Sequence, residues 1–463
     1  MIKSNLIEIS KFINGKIKKY NKNLTVNNIS INSKNINKNC IFLAFKGEKY
    51  NAHDFVYESF KNGAIAIIVE KIFFDINIPQ IIVKNTNIAF FKIAKLNRIK
   101  SKSYFIVITG SCGKTTVKEM VSNIIKLSNI NFTYTKYNNN NIIGVSLTII
   151  DLKINDKFVI IELGMDKLGQ IFKSVKIIKP NLIFINNVFL NHIKNLKFYE
   201  NVIKSKGEIF YGSNNNTKII INYNSNYWNE WKSYFININK VPIYFSLNNC
   251  KTDFYASKIN LLKFKSIFNI NIYNKKIKIK LKLPGLHNIS NSIAASSIAF
   301  IIGIKIKYII KGLNNFYNIK QRLYPIYLNK NKIIINDTYN SSINSSIESI
   351  NILNRLKGYK LLIIGDMLEL GKLNKRSHYF LSKVINSLNI NYIISYGKYS
   401  KYITNNIKNG IHIKNIKSLI NIINKNIEKH RKINVLFKSS RNVGLSNILN
   451  IFLKKQTIKN FLC

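Results

Sequence analysis

The sequence predicts an α/β protein made of parallel sheets and helices and divided into three domains. Short apolar runs that are typical of buried strands recur along the chain, with helical or polar segments between them. One of these runs leads directly into a glycine-rich turn and then a helix. The chain has 463 residues, 46% of them hydrophobic, which is enough for two to four domains with substantial cores.

The candidate strands are the apolar runs at 64–69, 81–83, 104–108, 158–163, 182–185, 333–335, 361–364, 392–395 and 435–437. Asparagine-rich patches at 138–141 and 214–216 are predicted loops. We place one boundary near residue 85, before the glycine-rich turn, and another near residue 316, after a buried helix around 290–302. The predicted domains are therefore 1–84, 85–316 and 317–463.

The formal net charge is +52, from 72 Lys+Arg against 20 Asp+Glu. Such a charge usually indicates a nucleic-acid or anionic-membrane partner. Here the lysines are spread along the chain and gather in no block, and Asn, Ile, Tyr and Phe are also abundant throughout, as AT-rich codons would produce. We therefore expect no nucleic-acid partner.

The four cysteines show neither CxxC spacing nor a disulfide framework, which favours a reducing compartment and no zinc site. The longest apolar stretch, 293–304, is too short to span a bilayer, and the N-terminus lacks an apolar signal core. We expect a cytoplasmic protein without a transmembrane segment.

The glycine-rich turn lies in YFIVITGSCGKTTVKEMV, residues 104–121, between a strand and a helix. The first amides of a helix lack intrahelical partners and bind anions, so phosphate fits there. Gly110 and Gly113 allow close backbone approach, Lys114 can reach a β- or γ-phosphate, and the Thr115 hydroxyl can bind Mg²⁺. The common pattern GxxxxGK[ST] would need glycine at Ile108, so the spacing differs from that of a generic NTPase.

Polar residues close several of the predicted strands. Glu162 ends FVIIEL, His192 follows LIFINN, Asp337 ends IIIND and Asp366 ends LLIIGD. In open parallel sheets ligands collect at these strand ends. Glu162 suits Mg²⁺, whereas imidazole is a less usual ligand for that ion. A solvated carboxylate and a hydrogen-bonded loop histidine remain the alternatives.

TGSCGKTT at 109–116 resembles the short phosphate loop TGxxGKT[ST] of the Mur ligase family. The two glycines of this loop are two residues closer together than those of the common pattern GxxxxGK[ST]. The resemblance covers nearly the whole chain. Further matching segments are IFLAFKGEKYNAHDF (41–55), NNNNIIG (138–144), IIELG (160–164), NNVFLNH (186–192), KSKGEIF (204–210), LPGLHNISN (283–291), QRLYPI (321–326), NDTYN (336–340), IIGDMLELG (363–371) and KSSR (438–441).

The resemblance implies an N-terminal α/β domain that binds a UDP-sugar, a central parallel-sheet ATPase domain, and a C-terminal Rossmann-like domain that closes over ATP. GDMLELG and KSSR resemble the members that add D-alanyl-D-alanine, and no DNPR motif of the diaminopimelate-adding members is present. The implied reaction joins this dipeptide to UDP-N-acetylmuramoyl-tripeptide through an acyl phosphate and releases ADP and phosphate. The implied protein is a monomer.

The resemblance also implies roles for individual residues. Lys114, Glu162, His192 and Lys206 would be catalytic, and Thr115, Glu162, His192 and Lys206 would hold two Mg²⁺ ions, with Lys206 carbamylated. The residues implied in ATP binding are Gly110, Ser111, Cys112, Gly113, Lys114, Thr115, Thr116, Asn288, Asn291, Arg322 and Asp337. The residues implied in substrate binding are Ser33, Lys34, Lys46, His53, Asp54, Asn138, Asn141, Tyr339 and Asn340.

Each role has a structural alternative. Lys206 is one lysine among many, Asn288 suits a helix cap, and Arg322 and Asp337 each suit a salt bridge to another domain. Two other activities also stay open. One is a related amide ligase, either diaminopimelate-adding or similar to folylpolyglutamate synthase, and the other is a nucleic-acid-dependent NTPase.

The sequence departs from the family pattern at five positions, without loss of a proposed catalytic group. Ser146 replaces a usual Pro, Lys167 a frequent His, Leu286 a common Arg, Gln321 the Gly before the arginine, and Ser439 the Gly of KGSR. We expect these changes to make the loop geometry near Arg322 and Lys438 differ from that of the family.

Overall fold

The computed structural model describes residues 1–19, 24–189, 193–225, 228–237 and 240–461. Within these residues it contains sheets of five, nine and six strands, in that order along the chain, and one two-stranded pair. Parallel strands alternate with helices in each large sheet, so the α/β prediction is confirmed. The strand predicted at 182–185 has those bounds, and the other predicted strands differ from the observed ones by a few residues at their ends.

The N-terminal sheet has the strand order β2-β7-β6-β5-β4, in which only β2 runs antiparallel to its neighbour. Its core is continuous with that of the central sheet, because Phe90 and Ile93 belong to the same apolar cluster as Phe105 and Val107. The elements are β1 (Ser4–Asn5), α1 (Leu6–Ile13), β2 (Lys16–Lys18), β3 (Thr25–Val26), β4 (Asn28–Ser30), β5 (Cys40–Leu43), α2 (Val56–Lys61), β6 (Ala66–Val69), β7 (Gln80–Ile82) and α3 (Thr86–Lys100).

The central region contributes the nine-stranded sheet, with strand order β16-β15-β14-β13-β12-β11-β8-β10-β9. The elements are β8 (Tyr104–Thr109), α4 (Lys114–Leu127), β9 (Phe132–Tyr134), α5 (Ile142–Ile150), β10 (Phe158–Glu162), α6 (Gln170–Ile178), β11 (Leu182–Ile185), α7 (Ile193–Leu196), α8 (Tyr199–Gly207), β12 (Lys218–Asn222), α9 (Lys232–Asn237), β13 (Ile243–Phe245), β14 (Phe254–Leu261), β15 (Ser266–Ile272), β16 (Lys275–Leu281), α10 (Leu286–Ile301) and α11 (Ile306–Asn314).

In the order of the sheet, the strands β9, β10, β8, β11, β12, β13 and β14 all pair in parallel. Strands β14, β15 and β16 form an antiparallel meander that the sequence analysis did not predict. Strand β16 lies at the edge of the sheet. It alternates buried apolar residues, such as Ile277 and Ile279, with exposed lysines, such as Lys276 and Lys278. One face therefore joins the core while the other carries charge into solvent.

The C-terminal sheet has the strand order β17-β18-β22-β19-β20-β21, and only β17 is antiparallel. The elements are β17 (Tyr324–Tyr327), β18 (Lys332–Asp337), α12 (Ile343–Asn354), β19 (Tyr359–Gly365), α13 (Asn374–Asn386), β20 (Tyr392–Tyr396), α14 (Lys401–Thr404), β21 (Gly410–His412), α15 (Ile416–Lys429), β22 (Ile433–Lys438) and α16 (Leu445–Phe461). The predicted domain boundaries at 84/85 and 316/317 fall between the sheets and stay a prediction.

Tight packing fixes the direction of helix α4, which begins at the glycine-rich turn. Helix α11 contacts α4 at Gly312, where a Cβ atom would lie 2.5 Å from Ile124 Cγ1 and 2.8 Å from Ile124 Cα. The Asn123 amide also donates to the Gly312 carbonyl at 2.8 Å. Because only glycine permits this approach, α11 holds α4 against the sheet.

Candidate active site

The glycine-rich turn connects β8 to α4 in the geometry expected of a phosphate loop. Gly113 has a φ of 79°, and a Cβ atom at this position would lie 2.4 Å from both Asn186 Nδ2 and Asn291 Oδ1. Glycine is therefore required both by the backbone angle and by the space available. The free amides of the first turn of α4 start at this point, so an anion can bind here.

Asparagines from neighbouring elements hold the loop in shape. Asn187 accepts from the Cys112 N–H at 2.8 Å and donates to the Cys112 carbonyl at 3.1 Å. Asn186 donates to the same carbonyl at 2.8 Å and to Asn291 Oδ1 at 3.1 Å. Asn186 and Asn187 directly follow β11 and were not among the predicted site residues, although their position at a strand end was a signal for them.

The Lys114 ammonium lies across the loop. Its Nζ donates to the Gly110 carbonyl at 2.6 Å and to the Ser111 carbonyl at 3.2 Å. Burial lowers the pKa of Lys114, and the nearby charge of Glu162 opposes that shift. The loop therefore holds an ammonium group at the place where a phosphate would bind.

Glu162 ends β10 and is the electrostatic centre of the cluster. Its Oε1 accepts hydrogen bonds from Thr115 Oγ1 and from Asn140 Nδ2, both at 3.1 Å. Its Oε2 is buried and has no hydrogen-bond partner among the described residues, while Lys118 Nζ lies 3.6 Å away. Asn140 was also not predicted individually, although it lies in the NNNN loop between the predicted residues Asn138 and Asn141.

Residues of the C-terminal region reach this cluster. Arg322 donates from Nη2 to Thr115 Oγ1 at 3.0 Å, and its guanidinium lies 4.1 Å from the centre of the Tyr339 ring. Asp337 is bound by Lys438 Nζ at 2.7 Å, and both residues are buried. Asp337 therefore forms its ion pair within the C-terminal sheet, while Arg322 contacts the central region through the Thr115 hydroxyl.

One cavity of about 1430 Å³ lies between the central and C-terminal sheets. Of the predicted residues, those that line it are Ser111, Cys112, Gly113, Lys114, Thr115, Thr116, Asn138, Asn141, Glu162, Asn288, Asn291, Arg322, Asp337, Tyr339 and Asn340. Gly110 directly follows β8 and comes just before the first of these lining residues in the sequence. His192 lies outside the described residues.

Two asparagines have structural contacts besides their place at the cavity. Asn141 caps α5 by accepting from the Gly144 N–H at 2.9 Å. Asn288 lies inside α10, whose cap is Gly285, and donates to the Pro284 carbonyl at 2.7 Å. The capping interpretation of Asn288 is therefore wrong.

Lys206 is buried in α8, with 1% of its surface exposed, and does not line the cavity. Burial lowers its pKa well below the ordinary value, and the positive charge of Lys114 adds to the shift. A lysine in this position exists more readily as a neutral amine, which is the nucleophilic form.

The predicted substrate residues of the N-terminal region lie at the ends of its parallel strands and away from the cavity. Ser33 donates to Glu58 at 2.6 Å, and Lys46 forms an ion pair with Glu70. His53 Nε2 accepts from the Glu70 N–H at 3.1 Å, and burial lowers its pKa. The two others, Lys34 and Asp54, are exposed.

The family departures have local structural consequences. Gln321 has a φ of 64°, which favours glycine, and its amide donates to Ser446 Oγ at 2.7 Å. Ser439 is fully buried, with its Cβ 2.7 Å from the Cβ that Gly365 lacks. Of the other three, Ser146 is buried in α5, Lys167 is exposed and Leu286 begins α10 at the cavity.

We expect Asn187→Ala to weaken ATP binding by about tenfold, because the loop loses both hydrogen bonds to Cys112 and a typical hydrogen bond contributes about 1 kcal/mol. Titration calorimetry with ATP and Mg²⁺ measures the dissociation constant. The matched control is Asn195→Ala, an exposed asparagine on α7. An unchanged dissociation constant for Asn187→Ala would show that the loop keeps its shape without this side chain.

Within the described part of the chain, no helix combines the length and apolar character needed to cross a membrane. Residues 108–299 match the model of the Mur ligase middle domain. The chain is 38% identical to the UDP-N-acetylmuramoyl-tripeptide--D-alanyl-D-alanine ligase of Buchnera aphidicola subsp. Acyrthosiphon pisum, over 99% of this chain and 100% of that relative.

Two solved structures share the fold. MurF from Acinetobacter baumannii has a TM-score of 0.89 at 24% identity, with 98% of this chain and 99% of that one covered. The MurF ligase of Thermotoga maritima in complex with ADP has a TM-score of 0.80 at 22% identity, with coverages of 94% and 99%. The phosphate loop, the Glu162 cluster and a relative matched from end to end lead to one conclusion: this chain belongs to the Mur ligase family, among the UDP-N-acetylmuramoyl-tripeptide--D-alanyl-D-alanine ligases.

Proposed function

We propose that this chain is an ATP-dependent ligase that joins D-alanyl-D-alanine to UDP-N-acetylmuramoyl-tripeptide. The observation that carries the proposal is the cavity that the phosphate loop shares with the strand ends of the C-terminal sheet. A ligase that activates one substrate with ATP and then admits a second needs both sites to open into the same space. The names of the relatives support the choice of substrates.

The donor groups present fit a magnesium ion. Thr115 and Glu162 supply a hydroxyl and a carboxylate, and Glu162 Oε2 is a buried oxygen without a hydrogen bond in the described structure. Oxygen ligands of this kind suit Mg²⁺, which takes few of them from a protein and the rest from phosphates and water. Accordingly, no group of three or more His, Cys, Asp or Glu side chains suited to a metal occurs among the described residues.

When bound, the ion would neutralise negative charge on the ATP phosphates. The chain supplies positive charge of its own, from Lys114 and from Arg322, whose Nε is buried with no hydrogen-bond partner among the described residues. These groups would stabilise the γ-phosphate while the terminal carboxylate of the tripeptide attacks its phosphorus and ADP leaves.

The product of this step is an acyl phosphate. The ammonium of D-alanyl-D-alanine loses a proton to solvent, the resulting neutral amine attacks the acyl carbon, phosphate leaves, and the nitrogen loses a second proton as the amide forms. Water would destroy the acyl phosphate, so the site must exclude it. Contacts such as Arg322 to Thr115, which join the C-terminal region to the phosphate loop, serve that purpose.

The reaction is tested by incubating the purified protein with ATP, Mg²⁺, UDP-N-acetylmuramoyl-tripeptide and the dipeptide, each omitted in turn. We expect phosphate release only with all four present, and a pentapeptide product detectable by mass spectrometry. Lys114→Ala should abolish the reaction with little change in thermal unfolding. Phosphate release that is independent of the dipeptide, or that follows added glutamate, diaminopimelate or nucleic acid instead, would contradict the proposal.

We further propose that Lys206 is carbamylated, as the family resemblance implies. Its neutral amine would attack CO₂ and release a proton, which leaves an anionic carbamate within range of the charge of Lys114. The buried position and the charge of Lys114 favour the neutral amine. The carbamate could hold a second Mg²⁺, whereas an ammonium could not.

We expect ¹³C-bicarbonate to give a carbamate carbon signal in the NMR spectrum of the wild-type protein. Lys206→Met should remove that signal because the amine is absent. Lys204→Met, an exposed lysine on the same helix, serves as the control and should keep it. A wild-type spectrum without the signal would rule out the modification under those conditions.

Two joined loops at the cavity suggest where the dipeptide binds. The Ser440 hydroxyl accepts from the Leu368 N–H at 2.9 Å, and the Ser440 N–H donates to the Asp366 carbonyl at 3.0 Å. Glu369 and Arg441, the residues next to this junction, are exposed and line the cavity. They offer one negative and one positive charge to a zwitterionic dipeptide.

The other carboxylate of this motif, Asp366, binds backbone amides. Asp366 accepts hydrogen bonds from the backbone N–H groups of Lys398, Tyr399 and Ser400 at 2.7 to 2.9 Å, which gives it a structural role. Glu369 has a φ of 71°, an unfavourable angle for this residue type. The Arg441 guanidinium makes no hydrogen bond or ion pair within the residues that the structure describes. We propose that Glu369 binds the dipeptide ammonium and Arg441 its carboxylate.

Glu369→Gln and Arg441→Gln should each raise KM for the dipeptide by about 10- to 100-fold, the effect of losing a hydrogen bond to a charged group. Acyl phosphate formation, trapped with hydroxylamine as a hydroxamate, should be unchanged. Glu428→Gln, on α15 away from the cavity, is the control. Equal loss of both half-reactions would indicate a defect at the nucleotide site instead.

A further inference from the structure

Lys118 is fully buried inside the nucleotide-binding region and has no role in the reaction as described above. It lies one helical turn after Lys114 on α4, so both side chains leave the same face of the helix. None of its surface is exposed. A lysine is almost never fully buried unless its charge is compensated, so its neighbours indicate why it is there.

The neighbours of Lys118 come from three different elements. Its Nζ donates to the Thr135 carbonyl at 2.7 Å and to the Tyr137 carbonyl at 3.4 Å, in the segment that follows β9. It lies 3.6 Å from Glu162 Oε2 and 3.1 Å from Glu119 Oε1. The ammonium therefore connects α4, the end of β10 and the loop that leads to the asparagines of the cavity.

The 135–141 segment also contacts Glu162 directly. Asn140 of this loop donates to Glu162 Oε1, while Lys118 faces Oε2. The Thr135 hydroxyl also accepts from the Glu162 N–H at 3.1 Å. One oxygen of the carboxylate is thus set by neutral donors, and the other is set by a positive charge. A buried carboxylate without such compensation would cost several kcal/mol.

We propose that Lys118 is a positioning residue, which holds the Glu162 carboxylate and the 135–141 segment in the arrangement that a magnesium–nucleotide complex requires. The inference rests on the proposed function, because it assumes that the site binds ATP with Mg²⁺. Lys118 itself need not touch the nucleotide. It acts through Glu162, as outer residues of metal sites act on the ligands that they orient.

The test measures ATP binding by calorimetry over a range of Mg²⁺ concentrations, with EDTA as the metal-free reference. Lys118→Met should raise the Mg²⁺ concentration at half-maximal effect by about 10- to 100-fold, the usual cost of losing such an outer residue. Lys118→Arg keeps the charge and should restore part of the effect. Lys126→Met, an exposed lysine in the last turn of the same helix, should match the wild type.

The Mg²⁺ concentration at half-maximal effect does not depend on the fraction of protein that is folded. A purely structural role of Lys118 would therefore leave this concentration unchanged. The double variant Lys118→Met/Glu162→Gln removes both charges, and in the Glu162→Gln background the loss of Lys118 should have little further effect. If the double variant folds and Lys118→Met alone does not, the coupling between Lys118 and Glu162 is confirmed. The positioning role would be overturned if the effects of the two substitutions on the Mg²⁺ midpoint were additive. It would also be overturned if neither Lys118→Met nor the double variant folded.

Two failures can be told apart. A wild-type protein whose ATP binding ignores Mg²⁺ would contradict the proposed function itself. A wild-type protein that responds to Mg²⁺, together with a folded Lys118→Met variant that responds equally, would overturn only the inference about Lys118.

Discussion

The site depends on one buried charge, the carboxylate of Glu162 at the end of β10. Only 2% of this residue is exposed, and taking a carboxylate out of water costs several kcal/mol unless its neighbours compensate. Thr115 and Lys118, both on α4, and Asn140 of the asparagine-rich loop provide that compensation. Because both of these segments are bound to the same group, the phosphate loop, the asparagine loop and the sheet edge must fold into one arrangement.

The Arg322 side chain connects the C-terminal region to this centre and contacts both regions. Arg322 reaches Thr115 across the cavity, and the same guanidinium stacks on Tyr339 of its own region. Asp337, which is held by Lys438, stays on its own side. Further contacts, such as the His287–Glu348 pair and the Phe264–Tyr327 ring contact, also join the two regions.

Much of this arrangement follows from local sequence pattern. The strand at 182–185, the phosphate loop and the strand-end position of Glu162 were predictable because each depends on a short apolar run and the residues next to it. Asn140, Asn186 and Asn187 were missed although their loop and strand-end positions were a signal, because asparagine is so abundant here that its presence carries little information. Only the tertiary structure distinguishes Asp366, which binds backbone amides, from Glu369, which faces the cavity.

The alternating pattern of strand β16 has a consequence for the behaviour of the whole molecule. An edge strand offers unpaired backbone groups to any neighbouring chain, and charged side chains along it are a common defence against stacking into fibres. The exposed lysines at 276, 278 and 280 supply that defence at the open margin of the nine-stranded sheet. A second copy that approached this margin would meet like positive charges, which disfavour edge-to-edge pairing between molecules.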